Sequence, residues 1–459
     1  MGFKYRRSIL FILRLLFITG LLGIFLIGWL SSFPEAEFYF WGYVVALISY
    51  TVILLVFLSV YGGLKVGSFR LGSLVFSCII AIVLSNFLVY LELSLIAMEM
   101  LGPLDMLLIM AVQCAWAVLC CWTMNRVYYG MRTVRDVVVV YGGDMNDAVT
   151  IYKMKSIEEK YRIVKLVEAD RPMDEIISKI APYESVLIGN LEPNKRYELV
   201  SRCYRMGKRI NIIPSAVDII MNSAEQTNIF DTPVILCRNT EIGPEQRFIK
   251  RTMDVFVSLL GLAITSPVML VTALLIKCED RGSVFFRQTR LTLDTKPFKV
   301  IKFRSMIEDA EKGLSNEHLL STEDDPRITK VGKVIRKYRI DELPQLFNIL
   351  MGDMSLVGPR PERPEIYDLC REELPDFDLR LRAKGGLTGY AQVYGRYNTG
   401  LRDKLNMDLS YIETYSILQD IKLILLTFKI LFIKESTQGV LERQADEVKA
   451  FIDTIKDDD

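Results

Sequence analysis

The chain has 459 residues, enough for two to four domains, and 51% of them are hydrophobic. Lysine and arginine (56) almost balance aspartate and glutamate (55), for a net charge of +1. That balance argues against a nucleic-acid partner. Eight cysteines include no C-x-x-C pair, which argues against a disulfide framework or zinc site and fits a reducing compartment. With a single histidine, His318, acid, base and nucleophile roles fall mostly to carboxylates, lysines or hydroxyls.

Residues 1–130 hold four apolar runs, Ile9–Leu30, Phe38–Tyr61, Leu71–Leu93 and Leu104–Met124. Each is near the roughly 20 residues a membrane helix needs, and four in succession exclude a signal peptide. They predict a four-helix transmembrane bundle. Lys4, Arg6, Arg7, Lys65, Arg70, Arg126, Arg132 and Arg135 mark one set of flanks, while the other loops carry Glu35, Glu37, Glu92, Glu99 and Asp105 without a cation. The positive-inside rule then puts the N-terminus and everything after Arg126 in the cytoplasm.

Residues 131–243 alternate strand and helix patterns. Strands are predicted at Asp136–Tyr141, Tyr161–Val167, Ser185–Ile188 and Arg209–Ile213, with a helix at Tyr197–Met206. This order predicts a parallel, Rossmann-like α/β domain. The Gly142-Gly143-Asp144 turn lacks the G-x-G-x-x-G spacing, so a structural or regulatory role is favoured over nucleotide binding.

Residues 244–459 form the third part of the chain. Its first segment, Met253–Ile276, is as apolar as the four spans, but Lys250, Arg251, Lys277 and Arg281 flank both ends. Pro267 lacks an N–H and leaves the Ala263 carbonyl free, and the Ser266 hydroxyl is placed to help satisfy it. The expectation is a re-entrant helix hairpin over about residues 250–277, broken at Ser266-Pro267; a plain fifth span is the alternative. Asp420–Ile433 reads as an interfacial or core helix, and the charged tail from Glu442 as a loose helix.

The most informative stretch is Arg339-Ile340-Asp341-Glu342-Leu343-Pro344, followed by Gly358-Pro359-Arg360-Pro361. Pro344 fits the first turn of a helix, which puts Asp341 near its N-cap and Glu342 within its first turn. A plain capping pattern is the alternative. Lys302, Arg304 and Arg336 upstream and Gly385-Gly386-Leu387-Thr388-Gly389 downstream favour a site for a metal-bound diphosphate.

From about Gln246 onward the chain resembles the bacterial sugar transferases, the monotopic phosphoglycosyl transferases. The resemblance rests on Lys250-Arg251-Thr252-Met253-Asp254, Ser266-Pro267, Val284–Gln288, Lys302–Met306, Asp325–Thr329, Asp341–Leu346, Met354–Glu362 and Leu387-Thr388-Gly389. The preceding spans and α/β domain look like the large membrane-anchored subgroup. The resemblance implies transfer of a hexose-1-phosphate from a UDP-sugar to polyprenyl (undecaprenyl) phosphate at the bacterial inner membrane, releasing UMP and starting surface polysaccharide assembly. It implies Asp341 as nucleophile, a phospho-sugar-aspartate intermediate, and Asp341 and Glu342 around Mg²⁺. Direct transfer without that intermediate, or an N-acetylhexosamine-1-phosphate group, is the alternative. Lys302, Arg304, Arg336 and the Pro359-Arg360-Pro361 segment are expected at the substrate phosphates. Asp408 is expected as a further metal or substrate contact, against a plain surface charge. A homodimer is the expected assembly. One departure is Gly385, where many members have proline.

Overall fold

The computed structural model describes residues 3–32, 41–67, 69, 71–130, 134–142, 161–237, 242–307, 325–395 and 399–431. Glu35, Glu37, Arg70, Arg132, the turn from Gly143 onward, His318 and the charged tail lie outside the described residues, as do the side chains of Lys4, Arg6 and Arg7. The chain divides into two compact units, Met1–Thr133 and Val134–Asp459.

The first unit consists of helices α1 (Phe3–Ser32), α2 (Gly42–Tyr61), α3 (Leu71–Ala97) and α4 (Pro103–Gly130). Helix α4 lies against α1 and α3, and α3 against α2. Apolar side chains such as Phe11, Ile27, Val45 and Leu108 remain exposed on the outer faces, as lipid contact requires. Inside, Gln113 of α4 links all four helices. It donates to the Leu21 carbonyl (2.9 Å) and to the Tyr50 hydroxyl (2.7 Å), and accepts from Asn86 (2.7 Å). A buried amide is tolerated there because its groups are paired.

The second unit begins with a four-stranded parallel sheet: β1 (Arg135–Tyr141), β2 (Tyr161–Glu168), β3 (Ser185–Ile188) and β4 (Arg209–Ile212), in the order β2-β1-β3-β4. Val137, Val138, Val139 and Val140 are all buried, as expected of a parallel strand covered on both faces. Helices α5 (Met173–Ile180) and α6 (Pro193–Arg205) supply cover through Ile176, Ile180, Leu199 and Cys203. Helix α7 (Ala216–Ser223) starts with a reciprocal Ser215–Asp218 capping box. An antiparallel hairpin, β5 (Glu225–Ile229) with β6 (Thr232–Leu236), follows and was not legible in the sequence.

The remainder is built around α8 (Pro244–Asp280), the fifth helix long and apolar enough to cross a membrane. The expected break at Ser266-Pro267 is corrected: helical structure continues through both residues, and Ser266 Oγ donates at 3.0 Å to the Ala263 carbonyl that Pro267 leaves without its usual donor. Hairpin β7 (Phe285–Leu291) and β8 (Pro297–Phe303), helices α9 (Lys330–Lys337) and α10 (Gln345–Met351), and strand β9 (Ser355–Val357) follow. Helix α11 (Pro364–Glu373), strand β10 (Gly386–Thr388), which pairs in parallel with β9, and helices α12 (Tyr390–Tyr394), α13 (Leu401–Glu413) and α14 (Ile417–Leu431) complete the described fold.

Two cores share α8. Val257 and Leu262 pack on Phe298, Val300, Leu346, Ile349, Leu356 and Tyr411. Met269 and Ile276 join Phe303 and Ile335. The opposite face leaves Phe256, Leu260, Ile264, Val271 and Leu275 exposed. Near the start of α8, Arg251 donates to the Ile349 (2.6 Å) and Leu350 (2.7 Å) carbonyls in the last turn of α10, where the Ile349 carbonyl also accepts from the Gly352 N–H (3.1 Å). Arg251→Ala should therefore lower unfolding stability by about 2 kcal/mol in a detergent melt, the usual scale for charged hydrogen bonds.

Candidate active site

The acidic pair occupies a separate 3-10 turn, Ile340–Glu342, rather than the first turn of α10. Arg339 enters it in the left-handed region at φ 55°, and Pro344 caps α10 in helical conformation. The expected N-cap role of Asp341 is corrected accordingly. Ile340 and Leu343, on either side of the pair, pack against the Met269–Ile335 core. Anchoring both neighbours in apolar contacts fixes the turn that carries the two carboxylates.

Three cations face the pair from different elements. Lys302, from β8, lies with Nζ 3.3 Å from Glu342 Oε1, and Arg360 Nη2 lies 2.8 Å from the same oxygen. Arg336, in the last turn of α9, acts on Asp341 through its charge. Both ion pairs therefore belong to Glu342. Among the described residues the Asp341 carboxylate accepts no hydrogen bond and forms no ion pair within 4 Å.

This asymmetry separates the two acids electrostatically. Burial, reinforced by the Glu342 charge, pushes the Asp341 carboxyl up to about 6 against the opposing pull of Lys302, Arg336 and Arg360. Burial also works to raise Glu342, but Arg360, Lys302 and Arg339 outweigh it and hold that carboxyl well below the usual range. Burial lowers the Lys302 ammonium, and Glu342 pushes back. The result is one permanently ionised acid beside one poised near neutrality, a division of roles typical of catalytic carboxylates.

The frame around the pair comes from distant residues. Asn348 of α10 accepts from the Ile301 N–H (2.9 Å) and donates to the Lys299 carbonyl (2.8 Å), which fixes the strand carrying Lys302. Pro359 accepts from the Gly386 N–H (2.8 Å), and the Pro361 carbonyl from Arg290 (3.0 Å). The Arg360 carbonyl accepts from Arg380 Nη2 at 2.9 Å. Pro359 and Pro361 thus hold the segment on which Arg360 rides. The backbones meet so closely that a Cβ on Gly386 or Gly389 would lie 2.1 Å from Gly358. At the Gly385 departure, the N–H donates to Thr292 Oγ1 at 2.9 Å, a bond proline could not make.

Two expected substrate contacts have other engagements. Arg304 is buried; its guanidinium pairs with Asp280, and its Nε donates to the Ser283 carbonyl at 2.6 Å. It therefore locks the end of α8. Asp408 is neither a rim ligand nor a surface charge: it is 1% exposed and 2.8 Å from Arg380 Nη2. It braces the Arg380 that supports Arg360. Sequence reasoning missed Asn348, Arg290 and Arg380 as supports because their partners lie far away in the chain. Arg290 and Asn348 lie just beyond quoted motifs, the one hint available; Arg380 lies in none.

The carboxylates fit a magnesium ion in donor type. Among the described residues no cluster of three or more potential ligands exists. Magnesium commonly uses one or two carboxylates and completes its shell with substrate phosphates and water. The unengaged oxygens of Asp341 and Oε2 of Glu342 match that pattern.

Comparison with known proteins gives a consistent result. The family described as bacterial sugar transferase matches residues 245–434. A UDP-N-acetylgalactosamine-undecaprenyl-phosphate N-acetylgalactosaminephosphotransferase of Aeromonas hydrophila is 40% identical over 190 residues, 41% of this chain and 44% of the relative. A UDP-glucose:undecaprenyl-phosphate glucose-1-phosphate transferase of Escherichia coli K12 is 39% identical over 217 residues, 46% of this chain and 45% of the relative. One of the same description from Caulobacter vibrioides is 38% identical over 220 residues, 43% of this chain and 78% of the relative. The chain thus spans less than half the length of the first two relatives.

The buried bracing role of Asp408 has a measurable consequence. Asp408→Ala leaves Arg380 without its closest carboxylate and should lower stability by about 3 kcal/mol, as broken buried pairs do. A thermal melt reads this; an unchanged melting temperature with only a raised KM would instead indicate a substrate contact.

Proposed function

The chain belongs to the bacterial sugar transferase family, and from that premise we propose that it transfers a hexose-1-phosphate from a UDP-sugar to polyprenyl phosphate, undecaprenyl in bacteria, releasing UMP. This is the opening membrane step of surface polysaccharide assembly. The observation that carries the reading is the unequal acid pair: Glu342 engages Lys302 and Arg360, while Asp341 stays unengaged and titrates near 6.

In the proposed first step an Asp341 oxygen attacks the sugar-linked phosphorus. The bond to the bridging oxygen breaks, and UMP leaves with the electron pair. In the second, an oxygen of polyprenyl phosphate attacks that phosphorus, the Asp341–phosphorus bond breaks, and the carboxylate is regenerated. Arg360, Lys302 and Arg336 bring positive charge to the transferring phosphoryl group. Asp341 and Glu342 would hold Mg²⁺, which when bound neutralises diphosphate charge and improves UMP as a leaving group.

Residues 244–459 form the chemical unit in this reading, after a four-helix bundle (1–130) and a Rossmann-like domain (131–243). Helix α8 enters and leaves the inner membrane on its cytoplasmic face, and two copies associate as a homodimer. The two ends of α8 support the re-entrant arrangement: Arg251 is bonded to α10 and Asp280 to Arg304 within one catalytic half. The relatives act on UDP-glucose or UDP-N-acetylgalactosamine, so a panel of both classes with undecaprenyl phosphate identifies the donor.

Three outcomes are expected. Asp341→Asn should reduce UMP release to background, and a sugar-phosphate adduct should be trapped on wild-type Asp341 when lipid acceptor is withheld; full turnover by the variant removes Asp341 as nucleophile. Below pH about 6 the Asp341 carboxyl is protonated and cannot attack, so kcat/KM should fall about tenfold per pH unit there. Lys302→Met removes a charge that holds this carboxyl down, so the acid limb should move to higher pH; an unmoved limb would assign it to another group. Finally, Gln246→Cys and the native, exposed Cys278 should be labelled by an impermeant thiol reagent from the cytoplasmic face alone, whereas labelling of Cys278 from outside would establish a fifth span.

A further inference from the structure

A second charged cluster lies behind the Arg360 segment. Lys250 is 8% exposed, and its Nζ lies 2.6 Å from Asp420 Oδ2, 3.2 Å from the Tyr411 hydroxyl and 3.0 Å from the Val357 carbonyl. Asp420 and Tyr411 are fully buried. The Tyr411 hydroxyl lies 2.7 Å from Asp420 Oδ1 and 3.2 Å from the Val357 carbonyl; its single proton goes to the nearer, charged acceptor, which leaves its oxygen to accept from Lys250. Lys250 is therefore the donor that holds the Val357 carbonyl. One turn further along α8, Asp254 Oδ1 accepts from the Leu356 N–H at 3.0 Å.

Four elements converge here: α8, β9, α13 and α14. Burying a lysine and a carboxylate for stability alone is inefficient, because an apolar pair of similar volume often serves as well. The placement is specific, however. Val357 precedes Gly358-Pro359-Arg360, and its carbonyl is where the lysine's third donor goes.

We propose that Lys250 is a positioning residue for phosphoryl transfer: anchored by Asp420 and Tyr411, it fixes the Val357 carbonyl and so sets Arg360 over the acidic pair. Asp254 holds the other side of the same short strand. Because Lys250 and Asp254 lie on α8, the lipid-facing helix and the phosphate-facing arginine are tied within one turn of chain. The inference rests on the transferase reading above.

The test uses the full chain in lipid nanodiscs with UDP-sugar, undecaprenyl phosphate and Mg²⁺. Lys250→Met leaves Asp420 buried and unpaired, so it should lose both stability and activity. Lys250→Met combined with Asp420→Asn removes that unpaired charge and should recover melting temperature. Its kcat should remain about 10- to 100-fold below wild type, the range for a misplaced catalytic group. Hydrogen exchange at residues 355–360 should be faster than wild type in the same double variant. Tyr411→Phe, a milder change, should lower kcat severalfold without a matching rise in the KM for UDP-sugar. Wild-type kcat and wild-type exchange in either folded variant overturns the proposal. If wild type itself releases no UMP from any UDP-sugar, the activity reading fails, and the exchange measurement still decides whether Lys250 orders the segment.

Discussion

Helix α8 is bound at both ends by the same globule, and most of the structure after residue 244 depends on this. Straight, its 37 residues would extend about 55 Å. Its N-terminal part is bonded to α10 and β9 through Arg251 and Asp254. At its C-terminal end Asp280 holds Arg304, and Glu279 accepts from the Lys330 N–H at 2.8 Å, which caps α9. The elements that carry Arg336, the acidic turn and Arg360 are thus all referenced to one helix. Its outward face is a row of exposed apolar side chains. The same element presents an exposed apolar surface on one side and a scaffold to the polar site on the other.

The polar site shows how charge is apportioned rather than merely accumulated. Two neighbouring carboxylates share a cationic surround, yet both ion pairs fall on Glu342. The raised Asp341 carboxyl results from burial and from its ionised neighbour. Placing the cations on the other acid would reverse the roles without changing composition. Asn348, Arg380 and Asp408 maintain the chosen arrangement by fixing the strand and segment from which Lys302 and Arg360 project.

Local pattern carried much of this fold. Apolar runs predicted α2 and α3 with starts or ends at Tyr61 and Leu71, and alternating apolar segments predicted all four parallel strands to within a residue or so. Those features arise from hydrophobic period and length, which are properties of a short window. The acidic pair was legible as a site, but its turn was not: the left-handed Arg339 separates it from α10, and nothing in that residue's identity demands the conformation. Long-range pairs were least legible. Arg304 with Asp280, Arg380 with Asp408 and Lys250 with Asp420 join positions whose proximity exists only after folding. Arg304 looked as available for phosphate as Lys302 until its partner Asp280 was known.

The contact between Gly358 and the Gly386–Gly389 turn bears on how motifs in such proteins should be interpreted. Added side chains there would overlap backbone atoms at 2.1–2.2 Å, whatever reaction the protein performs. These positions are confined by the thickness of two adjoining main chains. The reactive groups are confined by charge and reach, a different kind of constraint, yet both sets sit within the same few recognisable words of sequence. A catalogue that assigns chemistry to every fixed letter in those words would therefore count spacers as catalysts. Conversely, a chain that kept the spacers and lost Asp341 would retain this shape without the carboxylate proposed to attack phosphorus, a scaffold open to another use.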